Sequence, residues 1–134
     1  LYAAMRAVPP QASAVRVGDR LPHSPRWTLA LAPRHVMRLR SGATLDSVLD
    51  VAWRSGAFGQ LANADANAID GRTLVNAQVA YTPAAGRWTL ALYGRNVFDE
   101  VYDVARLDSA FAGFTDVIRN NDRRELGLSL GLSY

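Results

Sequence analysis

The 134-residue sequence has no cysteine, which excludes disulfide staples and thiolate metal sites. It has no lysine either. All 15 basic residues are arginine, which reads as a bias toward GC-rich codons and not as chemistry. The arginines are scattered and the net charge is only +3, so there is no basic stripe of the kind that binds nucleic acid. No apolar run approaches the roughly 18 residues of a membrane helix, and mean hydropathy is −0.04. Strands that alternate apolar with polar also average to neutral, so a membrane barrel stays open. The two histidines, His23 and His35, lie on separate segments without ligand-like spacing. There is no Gly-rich phosphate loop and no nucleophile elbow. Residues 1–8 lack the charged start and apolar core of a signal peptide. The start at Leu1 reads as the continuation of a longer protein.

What is present is alternation. Leu126, Leu128, Leu130, Leu132 and Tyr134 occupy every second position, with Gly127, Ser129, Gly131 and Ser133 between them. A period of two places the large apolar set on one face of a strand and the small set on the other. One hydrocarbon-facing side and one polar side is what a barrel strand in a membrane needs.

Further strands precede it. Residues 1–7 read as the tail of a strand and 8–25, with Pro9, Pro10, Gly18, Pro22 and Pro25, as a loop. Residues 26–39 place Trp27, Leu29 and Leu31 opposite Thr28 and Ala30, with an irregularity expected at Pro33. A tight turn follows at Arg40-Ser41-Gly42-Ala43. Residues 44–57 fit a helix face (Leu45, Val48, Leu49, Ala52) or a strand face (Leu45, Leu49, Val51, Trp53), and periodicity does not separate them. The β-rich surroundings favour a strand.

In that strand Asp46 and Asp50 share a face about 13 Å apart. That is too far to share a proton and wider than an inverting carboxylate pair. In a helix they would be neighbours, on what reads as a solvated face; catalysis finds little support, and the chain reads as a protein that is not an enzyme and needs no cofactor.

Residues 56–71 read as a long polar loop, 72–82 as a strand, Pro83-Ala84-Ala85-Gly86 as a short turn, 87–97 as a strand, 98–121 as a second long loop and 122–134 as the last strand. Connections thus alternate short and long, as in an up-and-down outer-membrane barrel with tight periplasmic turns and long extracellular loops. The resulting strand directions put Tyr81, Trp88 and Tyr134 at the periplasmic rim. Trp27 and Trp53 fall toward the outer rim, so aromatics flank both interfaces. The fold expected is all-β, an antiparallel up-and-down segment of five to six strands without a plug. A soluble β-sandwich with these aromatics in its core is the competing architecture. Asp122-Arg123-Arg124-Glu125 reads as a solvated rim cluster.

Several stretches resemble the C-terminal barrel strands of TonB-dependent outer-membrane receptors. These are Arg72 to Tyr81 and Arg87 to Tyr102, and within the latter Asn96-Val97-Phe98-Asp99-Glu100-Val101-Tyr102 resembles the family's N-L-F-D-x-x-Y motif at Asn96, Phe98, Asp99 and Tyr102. Gly18 to Trp27 resembles its G-x-x-L-P-x-x-P-R stretch, and Arg123 to Tyr134 its closing strand.

The resemblance covers nearly all of the chain, in the right order. It implies that residues 1–134 are the C-terminal segment of such a barrel. A complete receptor also has a TonB box, a plug and a barrel of about 22 strands. It implies an outer-membrane location in a Gram-negative cell, lipid around the barrel and coupling to the TonB complex through the plug. The cargo would be a scarce nutrient, above all a ferric siderophore.

Within that frame Leu126, Leu128, Leu130, Leu132 and Tyr134 resemble the signal read by the barrel-assembly machinery, which can bind an edge strand by β-augmentation. Arg54 and Arg95, facing the lumen near the top, are candidates to contact an anionic ferric chelate. The plainer reading pairs each with a lumen carboxylate such as Asp50. Rival functions are a passive outer-membrane channel or autotransporter barrel, and a soluble β-sandwich binding module.

Overall fold

The computed structural model describes residues 15–109, 114–120 and 122–133. Among them lie strands β1 (Thr28–Leu31), β2 (Arg34–Arg38), β3 (Thr44–Arg54), β4 (Ala57–Phe58), β5 (Ala68–Ile69), β6 (Arg72–Thr82), β7 (Trp88–Arg95), β8 (Asp103–Ser109), β9 (Phe114–Arg119) and β10 (Glu125–Leu132), with a single 3-10 turn at Asp65–Asn67. The main sheet runs β1-β3-β6-β7-β10, with β2 also paired to β3. With β4–β5 and β8–β9 set aside as separate hairpins, neighbours in the sheet follow chain order. The all-β, antiparallel, up-and-down expectation is met, and the ambiguous 44–57 segment is the strand β3 as far as Arg54, with Ala57 opening β4.

The chain divides into two compact units, one of residues 1–28, 53–72 and 101–121, the other of 29–52, 73–100 and 122–134. The second holds most of the main sheet. Its tight turns fall where they were expected. Leu39 N–H donates to Ala43 O at 2.8 Å around Gly42, whose φ is +83°. Gly86 N–H donates to Pro83 O at 2.9 Å. Pro33 interrupts the first strand into β1 and β2, yet its carbonyl still accepts from Leu49 N–H at 3.1 Å, so only the donor that proline lacks is lost.

The register lines up apolar side chains in rows. Val79 faces Leu92, which faces Leu128, and Tyr81 faces Leu90, which faces Leu130. On the opposite face the rows are Gln78, Tyr93, Gly127 and Ala80, Ala91, Ser129. Val79, Leu90, Leu92, Leu128 and Leu130 in these rows are exposed, and Tyr81 is half-buried. Buried apolar residues among those described are few, namely Ala43 and Ala91 in this unit and Ala57 and Ile69 in the other, and only Ile69 is large. The sheet therefore holds its register by ladder hydrogen bonds and cross-strand pairs, not by a central core.

The first unit departs from expectation. The two segments read as long polar loops each carry a hairpin, β4–β5 and β8–β9. β4 and β5 have two residues each, too few for a period of two to show. In β8–β9 the register shifts between Asp103 and Ala105, which breaks the alternation that would have revealed it. Asp103 then anchors the hairpin, accepting from Arg106 Nε at 2.6 Å and Arg119 Nε at 3.2 Å. In the same unit Asn67 is buried and donates Nδ2 to Ala62 O at 2.7 Å.

Candidate functional site

The large apolar side chains of β10 all reach the surface. Leu126, Leu128, Leu130 and Leu132 are 66, 71, 63 and 62 % exposed. Adjacent strands add Leu90, Leu92, Val79 and Trp88 to the same exposed set. A soluble sandwich packs such a face against a second sheet, and here it is open. Ser133 N–H still donates to Arg87 O at 2.9 Å, so the ladder continues past Leu132. Tyr134 lies outside the described residues. Tyr81 and Trp88, expected at one rim together, have ring centroids 5.6 Å apart.

The motif residues Asn96 and Asp99 build a corner between β6, β7 and β10. Asn96 takes φ +44° and Asp99 +56°, the left-handed region that Asn and Asp tolerate best among residues with a side chain. The Asn96 side chain is buried and uses all its main capacity. Its Nδ2 donates to Glu100 O at 3.0 Å and Asp122 O at 2.8 Å, and its Oδ1 accepts from Glu100 N–H at 2.9 Å. Its own N–H donates to Asn76 Oδ1 at 3.0 Å. One amide thus ties together the points where the chain leaves at Glu100 and returns at Asp122.

Asp99 makes the second tie. Its carboxylate accepts from Arg123 Nε at 2.9 Å and Nη2 at 2.5 Å, and from Arg124 N–H at 2.9 Å. The Arg123 hydrogen bonds first, and the Arg124 backbone N–H second, hold this carboxyl well below the usual carboxylate range. The charged run before β10 is exposed, as a solvated rim should be, but Arg123 is also engaged. Of the other motif residues, Phe98 is 72 % exposed. Tyr102 N–H donates to Asn120 Oδ1 at 2.9 Å.

The two arginines singled out from sequence have different surroundings. Arg95 Nη1 lies 3.5 Å from Glu125 Oε2, and its guanidinium carbon 5.8 Å from the Tyr93 ring centroid. It pairs with a carboxylate, though not with Asp50, which accepts a 3.4 Å hydrogen bond from Asn76 Nδ2. Asp46 pairs with Arg34, so the two aspartates of β3 have separate partners.

Arg54 is half-buried, and its Nε is shielded from solvent without a hydrogen-bond partner. Within its electrostatic reach are Arg72 and Tyr102, and the Arg72 guanidinium carbon stands 3.6 Å over the Tyr102 ring centroid. Sequence reading missed Arg72. The available signal was parity, since positions 54 and 72 both belong to the even, polar set of their strands.

Residues 2–97 match the family described as TonB dependent receptor-like, beta-barrel. No curated protein and no solved structure matches the chain.

Proposed function

The chain belongs to the TonB-dependent receptor β-barrel family, a family of outer-membrane transport receptors, and we propose that it forms the C-terminal segment of the barrel of one that imports a ferric siderophore. The observation that carries this reading is the two-faced sheet. Leu128 and Leu92 are exposed on one side while Gln78, Tyr93 and Ser129 line the other. Lipid takes the first face and the lumen the second. A barrel of the family's size needs many more strands than this sheet has, so the chain works as part of a larger wall. Cargo contacts come from the lumen face and the outer loops, Arg54 and Arg95 among them. A plug couples the barrel to the TonB complex. Leu126 to Tyr134 present the edge strand that the barrel-assembly machinery reads. The protein moves its ligand without chemical change and is a transporter, not an enzyme.

The test is uptake of radioiron as a ferric siderophore by iron-starved Gram-negative cells, with and without the gene that carries this chain. Uptake should fall to background on deletion, and equally when TonB is removed. Uptake that survives TonB loss points to a passive channel. Uptake indifferent to the gene rejects the ferric siderophore as cargo.

A further inference from the structure

Arg54 and Arg72 form a cationic pair with no carboxylate partner among the described side chains. Among the described residues, Arg34, Arg95, Arg106, Arg119 and Arg123 make ion pairs with carboxylates, and these two do not. A shielded guanidinium N–H with no acceptor is unfavourable, and a second cation beside it adds repulsion. Both strains are relieved by one event, the arrival of an anion.

The surroundings hold the pair ready for it. A side chain at Gly71 would meet Arg54 O at 2.8 Å, so only glycine lets the two backbones approach this closely and brings Arg72 beside Arg54. Arg72 is stacked on Tyr102 at 3.6 Å. Stacking uses the face of a guanidinium and leaves its in-plane N–H fork free for an oxyanion. The Tyr102 backbone is fixed by paired bonds with Asn120, N–H to Oδ1 at 2.9 Å and Asn120 N–H to Tyr102 O at 3.0 Å. Tyr102 also stands within electrostatic reach of Arg54.

We propose that Arg54, Arg72 and Tyr102 form a binding site for a soluble anion bearing a carboxylate or phosphate group and at least two negative charges. Two guanidiniums carry positive charge and can only donate, and the phenol can donate as well, which selects an oxyanion over a neutral or cationic ligand. Arg54 and Arg72 stand at the polar positions of β3 and β6, so the source is a solute and not a lipid headgroup. The proposal deepens the receptor reading by giving its ligand a charge, and rests on that reading only for the ligand's origin.

The experiment is calorimetric titration of the intact receptor, in neutral detergent at low ionic strength, with inorganic phosphate and with succinate. Wild type should bind both. R54Q and R72Q should each weaken binding by about tenfold or more, while R38Q, on an exposed position of β2, leaves it unchanged. Without anion, R54Q should melt no lower than wild type, because it removes repulsion; an arginine with a merely structural role would lower it. Equal affinity in wild type, R54Q and R72Q overturns the proposal, as does binding confined to micelles doped with anionic phospholipid. Where R54Q does not fold, R72Q and Y102F give the same readout. Loss of the site with uptake intact rejects the site alone. Phosphate binding in a protein that imports nothing rejects the receptor reading alone.

Discussion

Tyr93 and Gly127 are direct cross-strand partners, and the phenol ring of Tyr93 fills the space that a side chain at 127 would need. The small residue in the alternating terminal strand is thus set by its neighbour. An aromatic over a glycine also restores the packing that glycine forgoes. The ring end is tethered by its hydroxyl to Glu125 Oε1 at 3.3 Å.

Gly127→Ala should push the ring aside, break the Glu125 contact and cost about 1 kcal/mol. The clash is with the far end of a side chain and not with backbone, so the sheet survives. Urea unfolding in micelles checks this, and Tyr93→Ala in the same protein should recover most of the loss. Two independent, additive losses would contradict the packing account.

The Asn96 amide closes the base of the excursion between Glu100 and Asp122. Asn96→Ala strands two carbonyls and one N–H in a buried corner, and should cost about 1–3 kcal/mol. Asn96→Asp keeps the acceptor for Glu100 N–H and tolerates the left-handed φ, but turns a carboxylate oxygen toward two carbonyl oxygens in a buried corner, so it should cost at least as much as Ala. Thermal melting of the three proteins gives the ranking, and hydrogen exchange at Glu100 should rise in the same order.

The Asp99–Arg123 tie predicts an acid dependence. A carboxyl whose folded pKa is depressed contributes stability above its unfolded value, near about 4, and loses it as pH falls through the lower folded value. Protease cleavage within 100–122 should therefore be slow at neutral pH and accelerate below about pH 4. Asp99→Asn should cleave at one rate across that range. Since the pair is exposed, its effect on global stability should be small.

Removing Tyr134 from the intact receptor should lower its level in the outer membrane without lowering its synthesis. Quantitative blotting of membrane fractions checks this, and unchanged assembly removes the edge-strand signal from the account.

The sheet was legible because its strands obey a strict period of two. Leu126 to Leu132, Trp27 to Leu31 and Trp88 to Leu92 needed no partner to reveal their faces. The turns at Gly42 and Gly86 were legible from local chemistry. The hairpins β4–β5 and β8–β9 were not, because two residues or a register shift leave no period to detect. The site was half legible. Arg54 and Arg95 look alike in the chain, and only their surroundings separate one with Glu125 from one beside Arg72. The role of Asn96 could be recognised as a motif, but its bonds to Glu100 and Asp122 depend on a return of the chain after more than twenty residues, which no local pattern encodes.

The central claim is that β10 separates lipid from lumen, and the absence of cysteine from this chain permits a direct measurement. Single cysteines introduced in turn from Leu126→Cys to Leu132→Cys, labelled with an environment-sensitive fluorophore, are read in vesicles containing brominated lipid. Labels at 126, 128, 130 and 132 should be quenched and blue-shifted, and labels at 127, 129 and 131 should not. Uniform quenching along the strand, or none at any position, would contradict the account.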